Sequence, residues 1–246
     1  MFGSLRSEAR KLLTVRSTYL LLISAIAIVL FYAGFVTGYR INPADMHNPT
    51  FLSQQALGAV GFVTLFAGIA SLLLLAHEYR HNTIIYTFTL AKNRSQVLVS
   101  KIIIVSIFML LFGLFIMVLS PLATIAGAHL HGLHLVPQTL HYGNILWRCL
   151  FYTWGYGMFA LILIALIRNQ IGAIVTLLVM PTLAENILSL LLKGNTKYLP
   201  FTSLESVVND HPIASTTPSH SARVALLYIV IGWIVAWILF LKRDAN

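Results

Sequence analysis

The sequence predicts an all-α integral membrane protein with six transmembrane helices, and three observations carry that prediction. Hydrophobic residues make up 58% of the chain and charged residues 9%, with a mean hydropathy of +0.84, far outside the range of soluble globular domains. Apolar runs long enough to cross a hydrocarbon core of about 30 Å at about 1.5 Å per residue recur six times along the chain. The net charge of +9 comes from basic residues beside those runs, the pattern of topology signals rather than of a nucleic-acid-binding face. In 246 residues, six spans leave loops but no separate soluble domain, so residues 1–246 form one transmembrane domain.

Residues 1–16 are short, mixed and basic. Phe2, Leu5, Ala9, Leu12 and Leu13 fall near one helical face, with Arg6, Arg10, Lys11 and Arg16 among them, which predicts an amphipathic helix lying in the membrane interface. The first span, about 17–38, has no small-residue cleavage site and reads as uncleaved. A loop with Pro43 and Pro49 leads to the second span, 56–76. After a polar insert comes the third, 102–127, with Pro121 near one end, where a kink is tolerable. The fourth, 145–167, opens with Trp147 and Arg148, an aromatic ring and a cation suited to snorkelling at an interface. Arg168, Asn169 and Gln170 turn tightly into the fifth, 171–192, which Pro181 and Glu185 interrupt. A longer polar loop with Pro200, Pro212 and Pro218 precedes the sixth span, 222–241.

Counting Lys and Arg orients the chain. With the N-terminus inside, the inner side holds Arg6, Arg10, Lys11, Arg16, Arg80, Lys92, Arg94, Lys101, Arg168, Lys242 and Arg243, eleven of the sixteen. The positive-inside bias therefore puts both termini of this multi-pass protein, and the insert after the second span, in the cytoplasm.

That insert, His77 to Lys101, is too long for a simple turn. Glu78, Arg80 and His81 stand at its start, Ile84, Ile85, Tyr86, Phe88 and Leu90 in its middle, and Lys92, Asn93 and Arg94 near its end. Apolar side chains on a charged segment at a membrane edge suit docking to another protein. Their spacing fits a strand or one helical face equally. A lone strand would leave its edges unpaired, which favours a short interfacial helix or turn. Asn93 and Gln96 have capping-box spacing and place a helix start there.

An acidic residue at the end of the second span, a Thr five residues on, an Arg after a polar break and a Lys entering the third span are here Glu78, Thr83, Arg94 and Lys101. With the six-span layout, this pattern resembles the permease family of ABC-2 type transporters. The chain departs from the family at Asn82, where members often have Gly, and at Asn93, where many have Pro or Ser. The resemblance implies that residues 77–101 hold a cytoplasmic coupling helix, with Glu78, Arg80, Thr83, Tyr86, Phe88, Arg94 and Lys101 coupling the membrane spans to an ABC ATP-binding subunit. It also implies a second copy of the chain, or a related permease, beside it in a prokaryotic plasma membrane, and an exporter as the working direction. No G-x-x-x-x-G-K-[ST] loop occurs in the sequence, so the chain itself is expected to be no enzyme and to hold no cofactor, with ATP and Mg on the partner ATPase. Membrane lipid is the remaining expected partner.

His129, His131 and His134 have metal-ligand side chains, but their loop has no Cys or carboxylate, so no metal site is expected. Glu185 is a carboxylate within a span, costly unless it lines a cavity or finds a partner. With Pro181 it reads either as part of a substrate path or gate, or as a turn where Pro181 ends the helix early. Cys149 has no second cysteine to pair with. An ion-coupled secondary transporter without an ATPase is the alternative function; it is expected to show paired intramembrane charges or an internal repeat. A membrane-embedded enzyme would need convergent catalytic groups within the spans, which hold isolated Ser and Thr instead.

Overall fold

The computed structural model describes residues 14–42, 51–80, 94–133, 142–192, 195–209 and 216–242, together with Ser7 and Arg10. The predicted interfacial helix at 1–16 lies mostly outside them, as does the centre of the coupling segment. All regular structure among the described residues is helical. The main helices are α1 (Arg16–Val29), α2 (Phe51–Arg80), α3 (Arg94–Leu130), α4 (Tyr142–Ile167), α5 (Gln170–Val179), α6 (Glu185–Leu192), α7 (Pro200–Val208) and α8 (Pro218–Lys242). Two π-helical stretches, Leu30–Tyr39 and Met180–Ala184, continue α1 and join α5 to α6. Among the described residues, six helical segments are long and apolar enough to cross a membrane: Arg16–Tyr39, Phe51–Tyr79, Val97–Leu130, Gly143–Ile167, Gln170–Leu192 and Pro218–Leu239. The chain is a multi-pass membrane protein.

The second and fourth spans form the centre of the bundle and are largely buried, whereas the first, fifth and sixth turn most of their surface outward. That outward surface is apolar, with Leu20, Phe31, Ile171, Leu190 and Ile234 all exposed, as the hydrocarbon of a bilayer requires. The core holds Leu72, Leu75, Met109, Ile116, Met158, Leu161 and Ile164, drawn from α2, α3 and α4.

Where hydrocarbon surrounds the helices, burying apolar surface gives little drive for association, and close backbone approach takes its place. Gly34 and Gly38 in the π-helical turns of the first span meet Ala123, Thr124 and Gly127 of α3, backbone against backbone. Phe31, Phe35 and Tyr39 of the same turns face outward, stacked with ring centroids 5.6 and 5.5 Å apart. A Cβ on Gly127 would overlap the Gly34 carbonyl. Because backbone cannot rotate aside, Gly127→Val is expected to lose about 3 kcal/mol, the upper end for overpacking. Gly58→Ala, with open space around it, is expected to keep or gain stability, up to about 1 kcal/mol. Thermal unfolding of the two variants in one detergent, read against the parent protein, checks the contrast.

Several boundaries differ from those the sequence predicts. α3 is described from Arg94 and runs for 37 residues through Pro121, about 55 Å at 1.5 Å per residue; Asn93, of the predicted capping box, lies outside the described residues. Helix therefore covers both ends of the predicted insert, residues 77–80 and 94–101. Pro121 is accommodated inside α3. The fifth span does not stop at Pro181: the helix continues through the π-helical turn Met180–Ala184 into α6. The predicted polar loop between the last two spans contains a 3-10 turn, Thr196–Tyr198, and the mostly buried helix α7. Its signals were Pro at the first helical position and the spacing of Phe201, Leu204, Val207 and Val208 on one face.

The helix ends are closed by local chemistry. α3 ends in a Schellman arrangement, with Leu133 N–H donating to Ala128 O at 3.0 Å and Gly132 N–H to His129 O at 2.9 Å. Gly132 supplies the required positive φ of 76°. At the turn between α4 and α5, Arg168 takes a left-handed φ of 56°. Asn169 caps α5 there, its Oδ1 accepting from Gly172 N–H at 3.0 Å.

Candidate functional site

Two of the residues expected to couple the spans come together in the structure. Glu78 lies in the last turn of α2 and Lys101 two turns into α3, so the pair joins the bases of the two helices that flank the predicted docking segment. Lys101 Nζ is 2.8 Å from Glu78 Oε1, with side-chain exposures of 1% and 5%. The same ammonium lies 3.5 Å from the carbonyl oxygen of Leu74, one turn below Glu78. A buried ion pair of this kind holds its two helices in one register, because sliding either would separate two desolvated charges. Beside it, Leu98 of α3 is buried among Tyr79, Ile102, Trp233 and Trp237, and Arg168 donates to Leu239 O at 3.1 Å. The base of the segment is thus packed onto the last span, which is itself bonded to the turn between the fourth and fifth.

Thr83, Tyr86 and Phe88, also expected to couple, lie outside the described residues. Arg80 and Arg94 are placed by their backbone as the last residue of α2 and the first of α3. Of the histidines, His129 sits in the last turn of α3, and His131 packs edge-on against Tyr39 with ring centroids 4.8 Å apart. His134 lies outside the described residues.

Glu185 is buried, and its carboxylate is fully engaged. Oε1 accepts from Phe201 N–H at 2.7 Å, and Oε2 from Thr202 N–H at 2.5 Å and Thr202 Oγ1 at 2.7 Å. These are donors of the first turn of α7, where a helix has no partners of its own and where its dipole favours a negative charge. Pro181 sits in the π-helical turn one helical step before it.

The opposite end of α7 shows what the sequence reading missed. Arg148 does not snorkel to an interface; it is buried at 5% exposure. Its Nε donates to Val207 O at 2.6 Å, and its Nη2 to Val208 O at 3.1 Å and Asn209 O at 3.2 Å. The last carbonyls of α7 therefore meet a guanidinium, the charge their dipole end favours. Nothing in the local sequence around Arg148 reports this, because its partners are 59 to 61 residues away.

α7 runs antiparallel to α4. Its C-terminal end meets Arg148, Leu204 lies against Gly155, and Phe201 packs on Tyr156 and Phe159 with ring centroids 5.9 and 5.0 Å apart. The helix thus re-enters the bundle beside the middle of the fourth span, where its ends need internal partners in place of water. Elsewhere, an apolar pocket of about 320 Å³ opens between α2, α3 and α4, lined by Ala56, Leu114, Met117, Pro121 and Ile145, with Ser53 at its polar edge.

The fold and these sites define an all-helical multi-pass membrane protein. Its base carries a buried carboxylate–ammonium pair, and its re-entrant helix is clamped by charge at both ends. Over residues 20–245 the chain matches the DUF2705 family, described as proteins of unknown function, and it belongs to that family. A comparison with curated proteins found no match.

Proposed function

We propose that this protein is the membrane-spanning permease subunit of an ATP-driven ABC transporter, an exporter, joined to a separate ATP-binding subunit through residues 77–101. The observation that supports this most is the Glu78–Lys101 pair. A segment that receives a push from a motor transmits it only if its two helical stems move together, and a buried ion pair at their base supplies that stiffness. The packing of Leu98 on Trp233 and Trp237 and the Arg168 bond to α8 extend the coupling to the last span. In this reading both termini and the segment are cytoplasmic, the membrane is a prokaryotic plasma membrane, and a second copy or related permease completes the pathway. Arg80, Thr83, Tyr86, Phe88 and Arg94 are assigned in this reading to coupling with the ATP-binding subunit, which carries ATP and Mg. Glu185 and Pro181 belong to the gate.

The test is a mild-detergent pull-down of the tagged full-length protein from its native membranes, with bound proteins quantified by mass spectrometry. A near-stoichiometric ATP-binding subunit is expected, and replacing Tyr86 and Phe88 by charged residues is expected to lower its recovery at least about tenfold, as loss of two central aromatic anchors does. Absence of any ATP-binding protein at every detergent strength would turn the assignment to an ion-coupled transporter.

A further inference from the structure

The fifth span is built of two unequal halves. Up to Val179 it is seated in the bundle by Ala173 and Leu177, both buried. Beyond that, residues 180–192 are all described, and Glu185 alone among them is buried. Leu183, Ile187, Leu190 and Leu191 are 58 to 79% exposed. The junction between the halves is the π-helical turn Met180–Ala184, which contains Pro181. A proline has no N–H to give the ladder and π-turns are local weak points, so bending is cheapest there.

We propose that residues 180–192 form a flap hinged at Pro181 and latched shut by Glu185 on the first turn of α7. A segment with one buried side chain has little packing to hold it, so its closed position depends on the three hydrogen bonds to Phe201 N–H, Thr202 N–H and Thr202 Oγ1. α7 is the fixed side of the latch, because Arg148 anchors its other end to α4 and six of its nine residues are buried. Releasing the latch frees two amides at the end of α7, beside Phe201, which packs on Tyr156 and Phe159 near the middle of α4. The flap names the moving part of the gate in the transport reading and rests on that reading for its purpose.

The latch is measured by hydrogen exchange on the purified full-length protein in lipid nanodiscs, without nucleotide or partner, comparing the parent chain with Glu185→Gln. Exchange in 186–192 and 200–204 is expected to rise on the order of tenfold or more, the effect of weakening charge-assisted hydrogen bonds, with α2 and α4 unchanged. Unchanged exchange in both segments would overturn the latch. An equal rise throughout α2 and α4 would also overturn it, by making Glu185 a general support of the fold. Should Glu185→Gln fail to fold, Thr202→Val removes only the hydroxyl bond and is read on the same segments. A smaller rise confined to them supports the latch, and an absent or evenly spread rise overturns it. A failed latch leaves the pull-down result standing, and a failed pull-down leaves the latch standing.

Discussion

Lys101→Met is expected to destabilise the protein by about 3–5 kcal/mol, the cost of removing one partner of a buried ion pair. The substitution keeps the length and apolar stem of the side chain but takes away the ammonium 2.8 Å from Glu78 Oε1. What remains is a carboxylate in a site only 5% exposed that has lost the ammonium of Lys101. Glu78→Gln alone is expected to cost a similar amount for the mirrored reason. The Glu78→Gln, Lys101→Met double variant is expected to cost clearly less than the sum, because the two side chains share one contact and its loss is counted once. Equilibrium unfolding of the four proteins in the same detergent gives the coupling energy directly. Additive losses would mean that the two side chains act separately and that the pair does not tie α2 to α3.

Arg148→Met is expected to cost about 3 kcal/mol or more, since each buried acceptor left without a donor carries a penalty of about 1–3 kcal/mol. Three carbonyls, of Val207, Val208 and Asn209, lose their donor together. Arg148→Lys is expected to recover only part of the loss. A lysine brings one point charge on a flexible stem, whereas the guanidinium reaches the three oxygens with a planar fork. The measurement is the same unfolding series, with limited proteolysis at Asn209 as a local readout: cleavage after loss of the clamp is expected to precede global unfolding. Equal stability of the parent and Arg148→Met proteins would show that the guanidinium contributes nothing to holding α7.

Much of the architecture was legible in the sequence. The six spans follow from apolar runs whose length matches a bilayer, a constraint that acts on each run by itself. The tight turn at Arg168 to Gln170 follows from short-range chemistry, since capping signals act within one helical turn. Glu78 and Lys101 stood out as charges where apolar spans begin and end, but their pairing across 23 residues did not, because spacing along the chain says little about which helices become neighbours. The close contact of Gly34 and Gly38 with Gly127 was signalled only by small residues four apart.

By itself the sequence determined that this chain is an all-helical membrane protein with a polar segment between its second and third spans. Hydrophobicity, charge placement and capping are properties of single residues and their near neighbours, so they can be read in order. The tertiary structure alone decided which charges are structural ties. Glu185 and Arg148 look like isolated polar intrusions along the chain, yet each completes one end of a nine-residue helix. A helix inside a bilayer-spanning bundle must find partners for its end groups in the protein itself. Only the fold brings a carboxylate from the fifth span and a guanidinium from the fourth to the two ends of the same helix.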